Sequence, residues 1–298
     1  MNLTIVGLGL IGGSLARDLR KTGFATQVTG VENDPQHAED ALRLGIADKI
    51  LPMAEALTDA DLVIVCTPVD RTVELLPLIL DSIGSHTTVT DMGSVKRQLT
   101  ESVGQHPKRR NYVPAHPMAG TENSGPQASL DNLFRGKIAI VCDHEKSGPQ
   151  HLALVEKMFQ AIGMNIAYMT SDEQDHSTAF VSHLPHAVAF ALANAVQDKA
   201  DRHIIFDLAS GGFNSTVRLA KSSVSMWHPI FEQNSDYLVE SLNAYMKHLE
   251  QFRDAIQNRD SQRLEDLIRS ANRIRGILEN ENPVLRKNEE TIIKYYTT

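Results

Sequence analysis

The chain has 298 residues and a formal net charge of −8, from 29 Lys and Arg against 37 Asp and Glu. This length predicts two domains of ordinary size. The acidic balance and the lack of a long basic run argue against nucleic acid or an anionic membrane as a partner. No basic and apolar leader precedes the first predicted strand, and no apolar stretch approaches membrane-spanning length, so we expect a cytoplasmic protein.

The first predicted element is a strand that leads into a glycine-rich turn. The apolar run Leu3–Val6 is followed by the sequence GLGLIG. Gly7 allows the chain to turn sharply off the strand, Gly9 lets the backbone approach a pyrophosphate, and Gly12 lets the next helix pack against the sheet. This arrangement is typical of a dinucleotide-binding site.

The helix that follows the glycines predicts how the phosphates are held. Its first residues, Leu10 and Ile11, belong to the predicted cofactor site, because the N-terminal N–H groups of a helix attract anions. A second apolar run ends at Glu32, twenty positions after Gly12. A carboxylate there accepts hydrogen bonds from a free ribose hydroxyl and repels a 2′-phosphate. The sequence therefore predicts NAD rather than NADP as the cofactor.

Predicted strands alternate with helical patterns as far as about residue 170, which indicates a parallel sheet. Asp34-Pro35 begins a helix that Gly45 ends. The later strands are predicted at 61–67, 87–92, 137–143 and 165–169. From Ser171 onward no comparable strand is evident, and the residues have helical spacing. We therefore predict an α/β fold with a Rossmann-like dinucleotide-binding domain at 1–170, followed by an all-α C-terminal dimerisation domain at 171–298.

Polar residues that follow the predicted strands are candidates for the site, because ligands of open parallel sheets lie outside the carboxyl ends of the strands. Thr67 and Pro68 form either a stiff turn beside the nicotinamide or a plain turn. Ser94 is interpreted first as a helix N-cap. His116 lies in a short segment between strands, with prolines on both sides. It is a candidate general base, although a histidine in such a turn is often only a hydrogen-bonding residue.

The helical half contributes three further candidates. A proline between His183 and His186 bends a helix and directs one of these rings toward a cleft between the domains, although each histidine alone has a structural interpretation. Arg218 follows a glycine pair in an apolar context, which suits a bidentate clamp for a carboxylate; an ion pair between the domains is the equal alternative. No cluster of histidine, cysteine and carboxylate residues has metal-ligand spacing, so no metal is expected.

Taken together, these motifs resemble the prephenate/arogenate dehydrogenases of tyrosine biosynthesis. The matching segments reach to about residue 280 and are GLGLIGGS at 7–14, CTP at 66–68, DMGSVK at 91–96, HPMAGTE at 116–122, SHLPHAVAFAL at 182–192 and GGF-x-STVRLAK at 211–221. The resemblance implies an NAD-dependent oxidative decarboxylation of a small-molecule substrate, prephenate or arogenate. Hydride leaves the ring carbon that bears the 4-hydroxyl, and loss of carbon dioxide makes the ring aromatic.

The resemblance also implies a role for individual residues. His116 accepts the proton of the 4-hydroxyl, and Ser94 holds that hydroxyl beside the nicotinamide. Arg218 binds a substrate carboxylate and His186 lines the substrate pocket. Further substrate-binding positions are Glu122, Lys96, His183 and Trp227, the last reaching over from the partner subunit. Gln174 stands where the family commonly has a histidine, and no role is transferred to it.

Two other functions share features with this sequence. The β-hydroxyacid dehydrogenases share the architecture but use a lysine early in the interdomain helix, and residues 180–198 contain none. An NAD-sensing protein without turnover is the non-enzymatic alternative, and the joint presence of Ser94, His116 and Arg218 speaks against it. Because the cofactor strand begins at Leu3 and only about fifteen residues follow the last resembling helix, we expect a monofunctional enzyme.

The choice between the two substrates and the assembly state are also expectations. An arogenate pocket needs a carboxylate for the substrate ammonium, and Glu122 is a candidate for it. We nevertheless expect prephenate to be preferred. The helical half carries more apolar surface than the nucleotide domain can cover, which predicts a homodimer joined through the helices.

Overall fold

The computed structural model describes residues 1–199, 202–280 and 292–294. One sheet runs through the molecule. Its strands are β1 (Asn2–Val6), β2 (Gln27–Val31), β3 (Lys49–Ile50), β4 (Leu62–Val65), β5 (Thr88–Asp91), β6 (Tyr112–Pro117), β7 (Ile138–Cys142), β8 (Asn165–Met169) and β9 (Ile292–Lys294). They lie in the order β3-β2-β1-β4-β5-β6-β7-β8-β9.

Helices cover both faces of this sheet and form the second half of the chain. In the nucleotide domain they are α1 (Leu10–Lys21), α2 (Pro35–Arg43), α3 (Met53–Ala56), α4 (Val69–Ser82), α5 (Arg97–Ser102) and α6 (Pro149–Ala161). In the helical half they are α7 (Ser171–Thr178), α8 (Leu184–Gln197), α9 (Arg202–Asp207), α10 (Gly211–Val217), α11 (Val224–Gln233), α12 (Ser235–Gln257), α13 (Ser261–Asn272) and α14 (Ile274–Asn280), with a π-helical turn at Ala179–His183. The predicted fold class is confirmed.

The central strands of the sheet are buried on both faces. Leu3 and Ile5 of β1 point into one apolar core, while Val6 belongs to a second core on the opposite face. Both faces of the central strands are thus covered, as the nearly continuous apolar runs predict. The carboxyl ends of β1, β4, β5 and β6 consequently meet at one edge, where the candidate site lies.

The sheet is mixed rather than parallel, which corrects the prediction. β1 to β6 pair in parallel, but β7 runs antiparallel to β6, with His116 opposite Ile140. His116 therefore lies within a strand and not in a segment between strands. The sequence misled because Pro114 and Pro117 lack N–H groups and normally argue against an interior strand. Here β6 stands where the sheet changes from parallel to antiparallel pairing.

The second half of the chain is not helical to its end. The backbone of β9 pairs in parallel with β8 at Ile166–Tyr168, so it adds an edge strand to the nucleotide domain. The prediction of an all-helical segment at 171–298 is wrong at this point. The strand sequence, Ile-Ile-Lys, contains two β-branched residues, which favour an extended backbone.

The helical half opens with a long apolar helix. Consecutive helical turns at Ser171–Gln197 form one run of 27 residues. Its most apolar window has a mean hydropathy of 1.4, and 17% of that window is buried inside the molecule. By length and composition alone it meets the criterion for a membrane span, so the prediction that no apolar stretch approaches that length is wrong. Pro185 lies in the first turn of α8, just after the π-helical turn, and does not end the helix.

Candidate active site

The glycine turn between β1 and α1 has the geometry that a dinucleotide site requires. Gly7 has a φ of +91°, a conformation that favours glycine. A Cβ on Gly12 would lie 2.1 Å from the Gly7 carbonyl oxygen, so a side chain would prevent α1 from packing here. A Cβ on Gly9 would meet no atom within 4 Å, which leaves open space on the side where a pyrophosphate is expected.

The first turn of α1 is suited to an anion. It begins at Leu10 and contains neither a side-chain cap nor an acidic residue, so its N-terminal N–H groups remain available to a phosphate. The side chain of Leu10 packs in the core, which leaves this residue only its backbone for a cofactor contact. The next residue, Ile11, lines the cavity at the strand ends.

Glu32, which follows β2, is held beside the glycine turn. Its Oε2 accepts from the N–H of Leu8 at 3.0 Å, and its Oε1 accepts from the N–H groups of Asn33 and Asp34 at 2.9 and 3.1 Å. The carboxylate is partly exposed. Each carboxylate oxygen can accept more than one hydrogen bond, so Glu32 keeps acceptor capacity for ribose hydroxyls in a fixed position.

A cavity of about 170 Å³ opens at the carboxyl ends of the strands. It brings together Ile11, Thr67, Pro68, Ser94 and His116, five of the residues predicted from sequence. Its remaining lining residues are Cys66, Val69, Met92, Gly93, Pro117, Ala119, Met226 and Ile230. The last two come from α11 of the helical half and were not predicted, because apolar residues at helical spacing carry no signal that separates a pocket wall from a core.

His116 has the properties of a neutral base. Its side chain is 8% exposed, and its Nδ1 has no hydrogen-bond partner. Burial holds the pKa of His116 well below its usual value, and the Lys96 ammonium and His183 lower it further. The ring is therefore unprotonated at neutral pH, which is the state that accepts a proton.

Lys96 lies beneath the cavity rather than in it. Its side chain is fully buried, and its ammonium is paired with the buried carboxylate of Asp91. Asp91 also accepts from the Tyr112 hydroxyl at 2.6 Å and from the N–H of Gly93 at 2.9 Å. The structure therefore gives Lys96 no exposed atom for a substrate, contrary to the predicted substrate contact. The sequence identifies the motif that contains Lys96 but does not show that the Lys96 ammonium is buried in an ion pair with Asp91.

Ser94 is not a helix N-cap, which corrects its first interpretation. α5 begins three residues later, at Arg97, and it has no side-chain cap. Instead, Ser94 lines the cavity, and its carbonyl oxygen accepts from Nε2 of Gln174 at 3.2 Å. The segment between Ser94 and Arg97 is thus held by the helical half of the chain.

The two histidines beside Pro185 differ in their environment. His183 is fully buried, and its Nδ1 lies 3.1 Å from Nδ2 of Asn234, while its Nε2 has no partner. Burial lowers the pKa of His183 to about 4. His186 is partly exposed and donates from Nδ1 to the Ser182 carbonyl oxygen at 2.9 Å. Burial also lowers the pKa of His186.

Trp227 stacks on His186 of its own chain. The ring centroids are 3.5 Å apart with an interplanar angle of 22°, and Trp227 also packs against Val69 and Val95. The predicted reach of Trp227 across a subunit interface stays a prediction. Within the single chain, α11 packs on α4, which places the indole beside His186.

Arg218 and Glu122 form an ion pair between the two halves of the chain. Nη1 of Arg218 donates to Oε2 of Glu122 at 2.7 Å, with 52% of the arginine side chain and 24% of the glutamate side chain exposed. The Glu122 backbone N–H and the Arg218 guanidinium lower the pKa of that carboxyl. The interdomain ion pair, one of the two alternatives for Arg218, is therefore present, and the half-exposed guanidinium retains donors for a carboxylate.

These features define a class of protein. A glycine turn at the end of β1, a carboxylate held after β2 and a buried neutral histidine in the cavity are the parts of an NAD-dependent dehydrogenase. Within that class, residues 15–168 match the family model described as prephenate dehydrogenase, nucleotide-binding domain. Residues 170–273 match the model described as prephenate dehydrogenase, dimerization domain. The chain belongs to the prephenate dehydrogenase family.

Individual relatives agree with the family models. A crystal structure of prephenate dehydrogenase from A. aeolicus, in complex with hydroxyphenyl propionate and NAD+, is 31% identical with a TM-score of 0.85, covering 93% of this chain and 98% of that one. Synechocystis arogenate dehydrogenase is 29% identical with a TM-score of 0.74, covering 93% of this chain and 100% of that one. Prephenate dehydrogenase of Bacillus subtilis is 29% identical, covering 88% of this chain and 72% of the relative.

Proposed function

We propose that this chain catalyses the NAD-dependent oxidative decarboxylation of prephenate to 4-hydroxyphenylpyruvate, with release of carbon dioxide and NADH. The observation that carries the proposal is the neutral, buried His116, whose Nδ1 has no partner, in a cavity that also contains Ser94. NAD, when bound, accepts the hydride. The enzyme is proposed to act in tyrosine biosynthesis in the cytoplasm, with the domain boundary at residue 170.

His116 acts as the general base for the 4-hydroxyl. Removal of the hydroxyl proton helps the hydride to leave the same carbon, and the resulting carbonyl character together with loss of the ring carboxylate as carbon dioxide gives the aromatic product. A neutral histidine is a suitable acceptor near pH 7. The Ser94 hydroxyl holds the reacting hydroxyl toward His116, since both residues line the same cavity.

Positive charge and hydrogen-bond donors match the charge of the substrate. Prephenate carries two carboxylates, and Arg218 is the half-exposed cation that binds one of them. His186, stacked on Trp227, forms the adjoining wall of the substrate pocket. Lys96 remains buried with Asp91 and acts on the base through its charge rather than by contact with the substrate.

Arogenate is the second candidate substrate, because one structural relative is an arogenate dehydrogenase. Arogenate differs from prephenate by an ammonium, which requires a nearby carboxylate. Glu122 is the candidate for this role, but its carboxylate already pairs with Arg218. We therefore favour prephenate, which carries no ammonium and needs no such carboxylate.

Paired steady-state kinetics on the purified chain test the assignment. Prephenate and arogenate are each supplied with NAD, NADH is followed by absorbance, and the organic product is identified by chromatography. The expected result is a higher kcat/KM for prephenate and formation of 4-hydroxyphenylpyruvate. A higher kcat/KM for arogenate would reassign the substrate, and no NADH from either compound would refute the proposed reaction.

The assembly proposed is a homodimer through the helical half. In the single chain this half exposes many large apolar side chains, among them Val181, Ile204, Leu208, Val224, Val239, Met246 and Leu249. Val239, Met246 and Leu249 lie on one side of α12, at helical spacing. A second copy would cover this surface, in keeping with the family model that describes residues 170–273 as a dimerization domain.

A further inference from the structure

Two adjacent residues of α7 hold the segment that carries Ser94. Gln174 donates from Nε2 to the Ser94 carbonyl oxygen at 3.2 Å. Asp175 accepts at Oδ1 from the N–H of Lys96 at 2.7 Å and at Oδ2 from the N–H of Arg97 at 2.9 Å. Three backbone groups within four residues are thus fixed by side chains of the helical half.

Both holding side chains are themselves fixed. Gln174 and Asp175 are fully buried. The amide of Gln174 also donates to Oγ1 of Thr178 at 3.0 Å, and the Asp175 carbonyl oxygen accepts from Nδ2 of Asn234 at 2.7 Å. The Gln174 amide thus makes two hydrogen bonds, and Asn234 holds the backbone of Asp175 while the Asp175 carboxylate accepts two N–H groups. These contacts restrict the rotamers of both buried side chains.

The backbone at the start of α5 is completed by α7. The N-cap residue Lys96 supplies no side-chain cap to α5, and the N–H groups of Lys96 and Arg97 are paired by the Asp175 carboxylate instead. Buried N–H groups without a partner are costly, so the Asp175 carboxylate stabilises this part of the backbone. The position of Ser94 relative to His116 therefore depends on α7.

We propose that Gln174 and Asp175 are positioning residues for the reaction, which set the place of the Ser94 hydroxyl in the cavity. This inference rests on the proposed role of Ser94 in holding the substrate hydroxyl. Gln174 acts on the carbonyl of Ser94 itself, while Asp175 fixes the two residues that follow Val95. Neither residue lines the cavity, so neither is proposed to touch the substrate.

The position of Gln174 also accounts for a departure noted in the sequence. A family histidine is replaced here by glutamine, whose amide supplies an N–H donor to Ser94 and another to Thr178. The remaining amide oxygen, Oε1, is buried without a partner. The donors, rather than the acceptor, are therefore the groups that the site uses.

A double-mutant cycle between Gln174 and Ser94 tests the inference. Gln174→Met removes both donors with little change in length, and we expect kcat to fall about 3–10-fold, the effect of losing one to two hydrogen bonds. The affinity for NAD and the pKa that limits kcat/KM at acid pH should not change. In a Ser94→Ala background, Gln174→Met should have no further effect on kcat, because it acts only through Ser94.

Two further variants keep the test decisive. His176→Gln changes an exposed residue of the same helix and should leave kcat unchanged, as a control for damage to α7. Thr178→Val removes the second partner of the Gln174 amide and should give a smaller loss, which also disappears in the Ser94→Ala background. Thr178→Val replaces Gln174→Met in the test if Gln174→Met lowers the yield of folded protein.

The outcomes separate this inference from the proposed function. If Ser94→Ala lowers kcat and the loss from Gln174→Met persists in full in that background, the positioning role is overturned while the role of Ser94 stands. If Ser94→Ala leaves kcat unchanged, the role of Ser94 in the proposed function is refuted, and the inference about α7 fails with it.

Discussion

Replacement of His116 by asparagine is the most direct test of the proposed chemistry. Asparagine keeps a polar side chain of smaller size but accepts no proton near neutral pH. Nδ1 of His116 has no hydrogen-bond partner in the protein, so the substitution breaks no bond to that atom. The glycine turn and Glu32, which are expected to bind NAD, lie on other strands. We therefore expect the affinity for NAD to change little.

The expected loss is catalytic. A positioned general base contributes typically about 10²–10⁴-fold, so kcat for His116→Asn should fall by about that factor, or about 3–5 kcal/mol in the activation free energy. The loss should appear in kcat and kcat/KM alike, since the interaction is made only in the transition state. Stopped-flow measurement of NADH formation, with NAD affinity measured separately by fluorescence, distinguishes this result from weaker cofactor binding.

The pH dependence supplies an independent readout. Burial, the Lys96 ammonium and His183 hold the pKa of His116 well below 6.5, the ordinary pKa of a histidine. The imidazole therefore stays neutral as the pH falls from 8 to 6.5. The acid limb of kcat/KM for the wild type should therefore lie below pH 6.5. The double variant Asp91→Asn with Lys96→Met removes the nearby cation without leaving an unpaired carboxylate, and it should move the limb to higher pH.

One result would refute this reasoning. If His116→Asn turned over near the wild-type rate with the same acid limb, another residue would have to accept the proton, and His183 and His186 would be tested next. A limb that is unchanged when the Lys96 charge is removed would show that Lys96 does not contribute to the lowered pKa of His116.

Three substitutions test the cofactor preference, the substrate-binding cation and the dimer. Glu32→Ala should weaken the binding of NAD and reduce the preference of the enzyme for NAD over NADP, measured as kcat/KM for each cofactor. Equal use of both cofactors by the wild type would contradict the role of Glu32. Arg218→Ala should raise the KM for prephenate about 10–100-fold with a smaller change in kcat, because a hydrogen bond to a charged group is worth about 1.5–3 kcal/mol; an unchanged KM would leave only its ion pair with Glu122. Met246→Glu should lower the mass measured by light scattering from two chains toward one, whereas Lys247→Gln, with the same change in charge, should not; a wild type that is monomeric and active would refute the dimer.

The nucleotide-binding half shows how much of this molecule is predictable from sequence. The order of strand, glycine turn, helix and acidic residue is local in the chain, and each residue type is required by the geometry at its own position. Gly7 needs a positive φ, and Gly12 has no room for a Cβ. Asp34 caps α2 as its place before Pro35 predicts. Such features depend on neighbours a few residues apart, which a sequence displays directly.

The features that were missed depend on contacts between distant residues. Ser171, Gln174, Asp175 and Thr178 are buried polar residues of α7 at helical spacing, and in sequence such a stripe has the same pattern as a solvated face. Only the fold shows that this stripe faces the Ser94 segment, about 80 positions earlier. The buried ion pair of Lys96 with Asp91 could not be predicted either, because the short spacing of the two residues along the chain does not reveal that they are buried.

A weak base in the free enzyme is compatible with the proposed reaction because of the charge of its substrate. In the free cavity, burial and the nearby Lys96 keep His116 unprotonated, which preserves its acceptor state. Prephenate brings two carboxylates to the site, and negative charge close to a histidine favours the protonated form. We therefore expect the pKa of His116 to be higher in a complex with the dianion than in the empty site. The Lys96 ammonium and the substrate carboxylates thus shift the pKa of His116 in opposite directions.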